Sequence, residues 1–353
     1  MDTYLKSLSL DVKYINLSNI KLTELPDLTK FTKLTKLNCN NNQLKELINL
    51  PKTLKILYCN NNQLTNLFDL PYLLTDLSCK NNQLKELTKL PNTLARLYCS
   101  NNKLTKLTNL PNRLIELICN NNKITELTDL PKALLILHCN NNKLIKLQFS
   151  NNIFGFNNSL LKKLYCSNNQ LTHLTNLPNT LTELNCCDNQ ISHLKGLPNK
   201  LTYLNCNNNQ LKNLDNLPKN LIILCCDNNQ LKELSNLPDT LTELICNNNK
   251  IEELTYLPIV LNKLYCANNK LKELMWLPTT LTELCCSNNQ LKRLYYLPNI
   301  LVKLYCNNNQ LTSLYNLPNT LTTLYCRDNK IINFPNFSHT IYELDIDTCL
   351  LVN

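Results

Sequence analysis

A motif of twenty residues recurs along the whole chain, and that period restricts the folds open to it more than any other feature. LTKLNCNNNQLKELINLPKT begins at Leu34, LKILYCNNNQLTNLFDLPYL at Leu54 and LTDLSCKNNQLKELTKLPNT at Leu74. The spacing continues from Leu94, Leu114 and Leu134, lengthens to 27 residues before Leu161, and returns to 20 as far as Ile341. A divergent first unit starts at Val12, so 17 units cover nearly all of the 353 residues. Self-similarity at such a period is the mark of a stacked repeat in which each unit packs on its neighbours. The organisation expected is an N-terminal cap segment, residues 1–11, followed by one array, residues 12–353, with an insertion at 148–160.

One unit reads LxxLxCxxNxLxxLxxLPxx. Cysteine holds the sixth place in fifteen units, from Cys39 to Cys326. Asparagine holds the ninth place in the same fifteen: Asn42, Asn62, Asn82, Asn102, Asn122, Asn142, Asn169, Asn189, Asn209, Asn229, Asn249, Asn269, Asn289, Asn309 and Asn329. Proline holds the eighteenth in thirteen, from Pro51 to Pro318, and Pro26 and Pro335 stand at the fifteenth place of the first and next-to-last units. This pattern resembles the leucine-rich repeat family, whose signature is LxxLxLxxN/CxL. The short unit with Leu-Pro on its return stretch resembles the bacterial-effector subtype. The wording CNNNQL and LPNTL resembles the leucine-rich repeat proteins of giant amoeba-infecting viruses.

The resemblance implies a leucine-rich repeat solenoid. It has a curved parallel β-sheet on the concave face, an extended, polyproline-like or 3₁₀ convex side, and little α-helix. The fourth and sixth side chains of each strand should point inward and the third and fifth to the concave surface. Leucines at places one, four, eleven, fourteen and seventeen should fill the core. Cysteine, small and apolar when reduced, suits the sixth place. The ninth-place amide has donors and an acceptor for backbone groups of its own and the next coil, so it reads as a structural ladder. Proline at the eighteenth place fixes φ and pushes the preceding leucine into an extended shape.

Composition removes several functions. Glycine occurs twice, which leaves no glycine-rich phosphate or dinucleotide loop. No apolar run approaches the roughly 20 residues of a membrane span. The opening MDTYLKSLSLDVKYINL shows no recognisable secretion signal. Fifteen of the 19 cysteines form one inward stripe, and they are expected as reduced core thiols of a cytoplasmic protein, in the host's cytoplasm if the chain is viral. Cys225 and Cys285, at fifth places, are expected to face the concave solvent. His173 and His193, at the thirteenth place of successive units, make half a metal site at best, so no metal and no cofactor is expected. No residue breaks the repeat to set a nucleophile beside a base, which argues for a protein that is not an enzyme.

The net charge of +10 consists of 32 Lys and four Arg against 26 acidic residues, a balance that fits an AT-rich coding sequence. Glu183, Glu243 and Glu283 share the third-place stripe with Lys36, Lys163, Lys263 and Lys303, so basic charge is not gathered on one face and nucleic acid is disfavoured. The expected function is a protein-interaction scaffold with an unknown protein partner, a host protein for a viral chain. Two alternatives stay open: a basic scaffold for nucleic acid or another anionic surface, and an array expanded by duplication with little selected binding.

Candidate partner-binding residues lie on the concave face. The fifth place carries Tyr58, Tyr98, Tyr165, Tyr265, Tyr305 and Tyr325, and tyrosine is a frequent interface anchor. Apolar residues cluster at Ile115, Ile118, Leu135 and Ile136 beside His138, and again at Ile222, Ile223 and Ile245. The insertion carries Phe149, Phe154 and Phe156, read either as a plug for the missing Leu-Pro or as a docking loop or a joint between two rigid arrays.

Overall fold

A computed structural model of the chain describes residues 2–149, 159–332 and 340–346. It resolves into two compact units, Met1–Leu171 with Asn176–Leu181, and Thr172–Thr175 with Thr182–Asn353. Each is a parallel β-solenoid. In the first, three-residue strands at Tyr14–Asn16, Lys36–Asn38, Ile56–Tyr58, Asp76–Ser78, Arg96–Tyr98, Glu116–Ile118, Ile136–His138 and Lys163–Tyr165 pair in chain order. In the second, the strands run from Glu183–Asn185 through Tyr203–Asn205, Ile223–Cys225, Glu243–Ile245, Lys263–Tyr265, Glu283–Cys285, Lys303–Tyr305 and Thr323–Tyr325 to Glu343–Asp345. Equivalent residues face each other throughout. Leu137 pairs with Leu164 although 27 residues separate them, so the seven extra residues leave the register intact. Phe149 is buried, whereas Gly155, Phe154 and Phe156 fall outside the described residues.

Every one of these strands but the last, whose Leu344 is 43% exposed, buries its middle residue, and in most the cysteine that follows is buried too, as Leu204 and Cys206 show, both without exposed surface. Leucines of places one, four and eleven are buried in the same way, while place seventeen lies at the core's edge, with Leu50, Leu70 and Leu317 half-buried. The return stretch is extended and closes in a turn at the proline. There the amide of Leu54 donates to the carbonyl of Pro51 at 3.1 Å, and the prolines themselves pack inward. Among the described residues the return holds no 3₁₀ helix; Asp2–Ser7 is their one α-helix, too short to cross a membrane. Short second strands pair Glu126–Leu127 with Lys146–Leu147, and His173–Leu174 with His193–Leu194.

The inward turn carries three stacked rows of side-chain hydrogen bonds. Asn209 Nδ2 donates to the carbonyls of Cys206 at 3.1 Å, Asn207 at 3.0 Å and Cys186 at 3.0 Å, and its Oδ1 accepts from the Ile191 amide at 2.9 Å. The coil it ties to its own is therefore the preceding one, not the next, because the turn leans back over the strand that came before. Place seven adds a second row, in which the Lys80 amide donates to Asn60 Oδ1 at 2.7 Å. Place eight adds a third, in which Asn81 Nδ2 donates to Asn61 Oδ1 at 2.6 Å. Place eight also stands in the left-handed region, with φ of 55° at Asn61 and 53° at Asn208, a region where asparagine is enriched. Place sixteen does the same. It holds Asn, Asp, Lys or Gly196 (φ 65°) in most units, but Tyr256, Trp276 and Tyr296 in three successive ones, with φ of 54°, 56° and 52°.

None of the eighteen described cysteines is in a disulfide. Burial pushes Cys79 and Cys119 up to about 12, against about 8.5 for an open thiol. Cys225 is 8% exposed, not solvent-facing, and Cys285 is half-buried. Their places do lie on the outward face, but Asn205 and Ile245 flank Cys225 in the register and a thiol is too short to rise between them.

Three outcomes follow from this frame. Asn209→Ala should cost about 1–3 kcal/mol by stranding buried backbone groups, measured by chemical denaturation. Lys212→Ala, at an exposed place, is the control; equal stabilities for the two variants would refute the assignment. Trp276→Asn should raise stability by about 1 kcal/mol, because an indole side chain in the left-handed region carries a backbone penalty that asparagine largely escapes. The thiol pKa is raised on folding, so its contribution is complete below about pH 8.5 and is lost as pH climbs toward 12. The melting temperature under a reductant should therefore decline above about pH 9, and less steeply when Cys79, Cys99 and Cys119 are replaced by alanine.

Candidate functional site

Within each unit, outward side chains at places three and five form two continuous columns, because the register does not shift. In the first unit the fifth-place column runs Asn38, Tyr58, Ser78, Tyr98, Ile118, His138, Tyr165. The His138 and Tyr165 rings stack with centroids 4.4 Å apart at 45°. Ile118 neighbours His138, and Ile136 lies beside Glu116 and Lys163 in the third-place column. Ile115 is 42% exposed, and its carbonyl accepts the Leu135 amide at 2.8 Å. Ile118, Leu135, Ile136 and His138 are half-buried. Register sets the five in or directly before two adjacent strands.

The six tyrosines are half-buried, and several are engaged within the chain. Tyr98 Oη donates to Glu116 Oε2 at 2.9 Å. Desolvation first, and that bond second, push the phenol up to about 12. Tyr265 donates in the same way to Glu283, and Tyr325 to Glu343, each glutamate standing one coil on. Lys36 Nζ lies 5.3 Å from the Tyr58 ring centre. Tyr305 and Tyr325 meet edge to face at 5.1 Å. The column is thus braced by its own neighbours, with the hydroxyls of Tyr98, Tyr265 and Tyr325 spent on glutamates.

Charges on this face are cross-paired as well. Arg96 pairs with Asp76, Lys303 with Glu283 at 3.5 Å, and Arg327 with Asp345. In the second unit Ile222 is 42% exposed and Ile223 and Ile245 are half-buried, beside the covered thiol of Cys225. Desolvation, then Glu243 and Asp227, push that thiol up to about 12. His173 and His193 are exposed and in register, and a neighbouring hydroxyl contacts Nδ1 of each, from Thr172 at 3.0 Å and Ser192 at 2.9 Å. Among the described residues no three His, Cys, Asp or Glu side chains converge as a metal site.

Sequence reasoning confined to the strands misses a second exposed aromatic group. Tyr256, Trp276 and Tyr296 lie on the return side, 95%, 83% and 88% exposed. The signal available was departure from the unit: aromatic residues occupy place sixteen where Asn or Asp is usual.

No family model matches the chain, and no curated protein matches it. Solved structures do. YopM, a leucine-rich effector protein of Yersinia pestis, is 32% identical over 95% of this chain and 89% of its own, with a TM-score of 0.72. YopM of Yersinia enterocolitica WA-314 is 29% identical over 95% and 91%, with a TM-score of 0.70. The functional domain of InlJ from Listeria monocytogenes, which includes a cysteine ladder, is 28% identical over 89% and 72%, with a TM-score of 0.75. Repeat, parallel register and these likenesses agree: the chain belongs to the leucine-rich repeat proteins, an interaction-scaffold architecture, and resembles the bacterial effectors among them.

Proposed function

We propose that the protein is a non-enzymatic scaffold that binds a protein partner on the outward strand face of its first unit, over Ile115, Ile118, Leu135, Ile136 and His138. The observation that carries this reading is Ile115, 42% exposed and stacked against Leu135 at a place where most units put Thr or Lys. The frame does not need an apolar residue there, so its apolar area is available to a partner at about 25 cal/mol per Å² covered. Tyr98 and Tyr165 extend the patch with rings already fixed in place, which lowers the entropy lost on binding. The Ile222, Ile223 and Ile245 cluster and the fifth-place tyrosines Tyr265, Tyr305 and Tyr325 form a second candidate surface in the other unit. An intracellular setting belongs to the same proposal, since free cysteines in this number suit a reducing compartment.

The alternative, a basic scaffold for nucleic acid or another anionic surface, finds no support on this face, where Arg96 is tied to the Asp76 carboxylate. Affinity capture from host-cell lysate, identified by mass spectrometry, tests the proposal. The paired change Ile115→Glu with Ile118→Glu should abolish capture of the partner while the circular dichroism melt stays nearly unchanged. Capture by the variant at the level of the parent protein would move the site elsewhere, and retention on DNA that falls with salt would favour the alternative.

A further inference from the structure

Place sixteen of the repeat is a left-handed position, and asparagine or aspartate meets it in most units. Three successive units instead set Tyr256, Trp276 and Tyr296 there, 95%, 83% and 88% exposed. A bulky ring at positive φ is a backbone outlier, and a ring this exposed recovers almost nothing by burial. Outliers retained without a folding benefit point to function.

Tyr256 and Trp276 border a cleft of about 450 Å³, together with Ile259, Met275, Glu253 and Glu273. The two glutamates are exposed and occupy the thirteenth place of adjacent coils, continuing a column that starts at Glu233, which bridges Glu253. Among the described residues none of the three carboxylates has an ion-pair partner. One coil on, the thirteenth place is Arg293. Its Nη1 donates to Tyr295 Oη at 2.6 Å, and its guanidinium lies 5.8 Å from that ring's centre. That coil supplies its own cation to an aromatic residue of the return side. The two coils before it offer aromatic rings and, among the described residues, carboxylates at place thirteen with no cation paired to them.

We propose that this cleft binds an arginine side chain presented by an extended, basic segment of a partner protein. The guanidinium is planar, stacks on aromatic faces and pairs with carboxylates in a fork, so Trp276 with Glu273 and Glu253 matches it in both shape and charge. Met275 and Ile259 receive apolar residues flanking the arginine. The site lies on the return side and does not depend on the strand-face patch.

Trp276 is the only tryptophan of the chain, so its emission reports on this cleft alone. The probe is a fluorescein-labelled, end-blocked peptide alternating arginine and leucine, with a second peptide in which citrulline, neutral and of the same shape, replaces arginine. The arginine peptide should bind saturably by anisotropy and change Trp276 emission, and the citrulline peptide should not. Glu253→Gln with Glu273→Gln should weaken binding roughly tenfold or more. Trp276→Asn should abolish it with no loss of melting temperature, which separates a lost site from a lost fold. The Ile115→Glu, Ile118→Glu protein should bind the peptide like the parent. Equal binding of the two peptides, or unchanged affinity in the double glutamine variant, overturns the proposal. So does absence of peptide binding, including the case in which sedimentation shows a dimer that Trp276→Asn dissociates, since a second copy would then occupy the cleft.

Discussion

A buried amide at each inward turn is the interaction on which the remaining structure depends. A coil of twenty residues has to fold its backbone back into the core once per repeat, and a turn placed there cannot hand its N–H and C=O groups to water. Asn209 meets that demand with three donated bonds and one accepted. Two of its partners, Cys186 and Ile191, belong to the preceding coil, so the same side chain that satisfies the turn also fixes how coils stack. A slip of one residue would turn every inward leucine outward. The columns on the strand face exist because this amide forbids the slip.

The sixth-place cysteine follows from the same geometry. Its carbonyl is an acceptor for two amides, as Cys186 is for Asn189 and Asn209, so the side chain must be small enough to leave that turn room. It must also be apolar enough for a site with no exposed surface. The thiol meets both needs and can contact a backbone carbonyl one coil on, as Cys59 Sγ does with Ser78 at 3.3 Å. Desolvation then keeps it protonated, which makes the stripe chemically quiet while folded.

What could be read from the sequence is what repetition writes fifteen times. Register, the inward pair at places four and six, and the extended return all rest on spacing, and spacing is averaged over many copies. Legibility fell where a single neighbour decides. Cys225 is covered because Asn205 and Ile245 happen to flank it. Tyr98, Tyr265 and Tyr325 spend their hydroxyls on glutamates because each next coil carries Glu at place three. Asparagines at places seven and eight look like filler in a CNNN run, yet they stack as hydrogen-bonded rows, with a left-handed backbone at place eight. Threonine at place twenty is similar: Thr240 Oγ1 reaches back to the Leu221 carbonyl at 2.8 Å. Such bonds join residues about one coil apart, and a consensus read as a string of single places does not contain them.

A frame specified by places one, four, six, nine, eleven and fourteen leaves the outward places free in two separate strips. One follows the strands, and the other follows the return stretch near place sixteen. Because each coil packs only on its neighbours, a change in either strip is felt one coil away and no further. The two strips carry different chemistry here. Apolar side chains and braced rings line the strands at Ile115 and Tyr98, whereas strained, open rings stand beside unpaired carboxylates at Trp276 and Glu273. Arg293 shows how local the difference is, since one coil suffices to change a glutamate into the cation that occupies its own aromatic neighbour. Repetition thus supplies the stability, and departures from it, confined to a few coils, are where recognition is written.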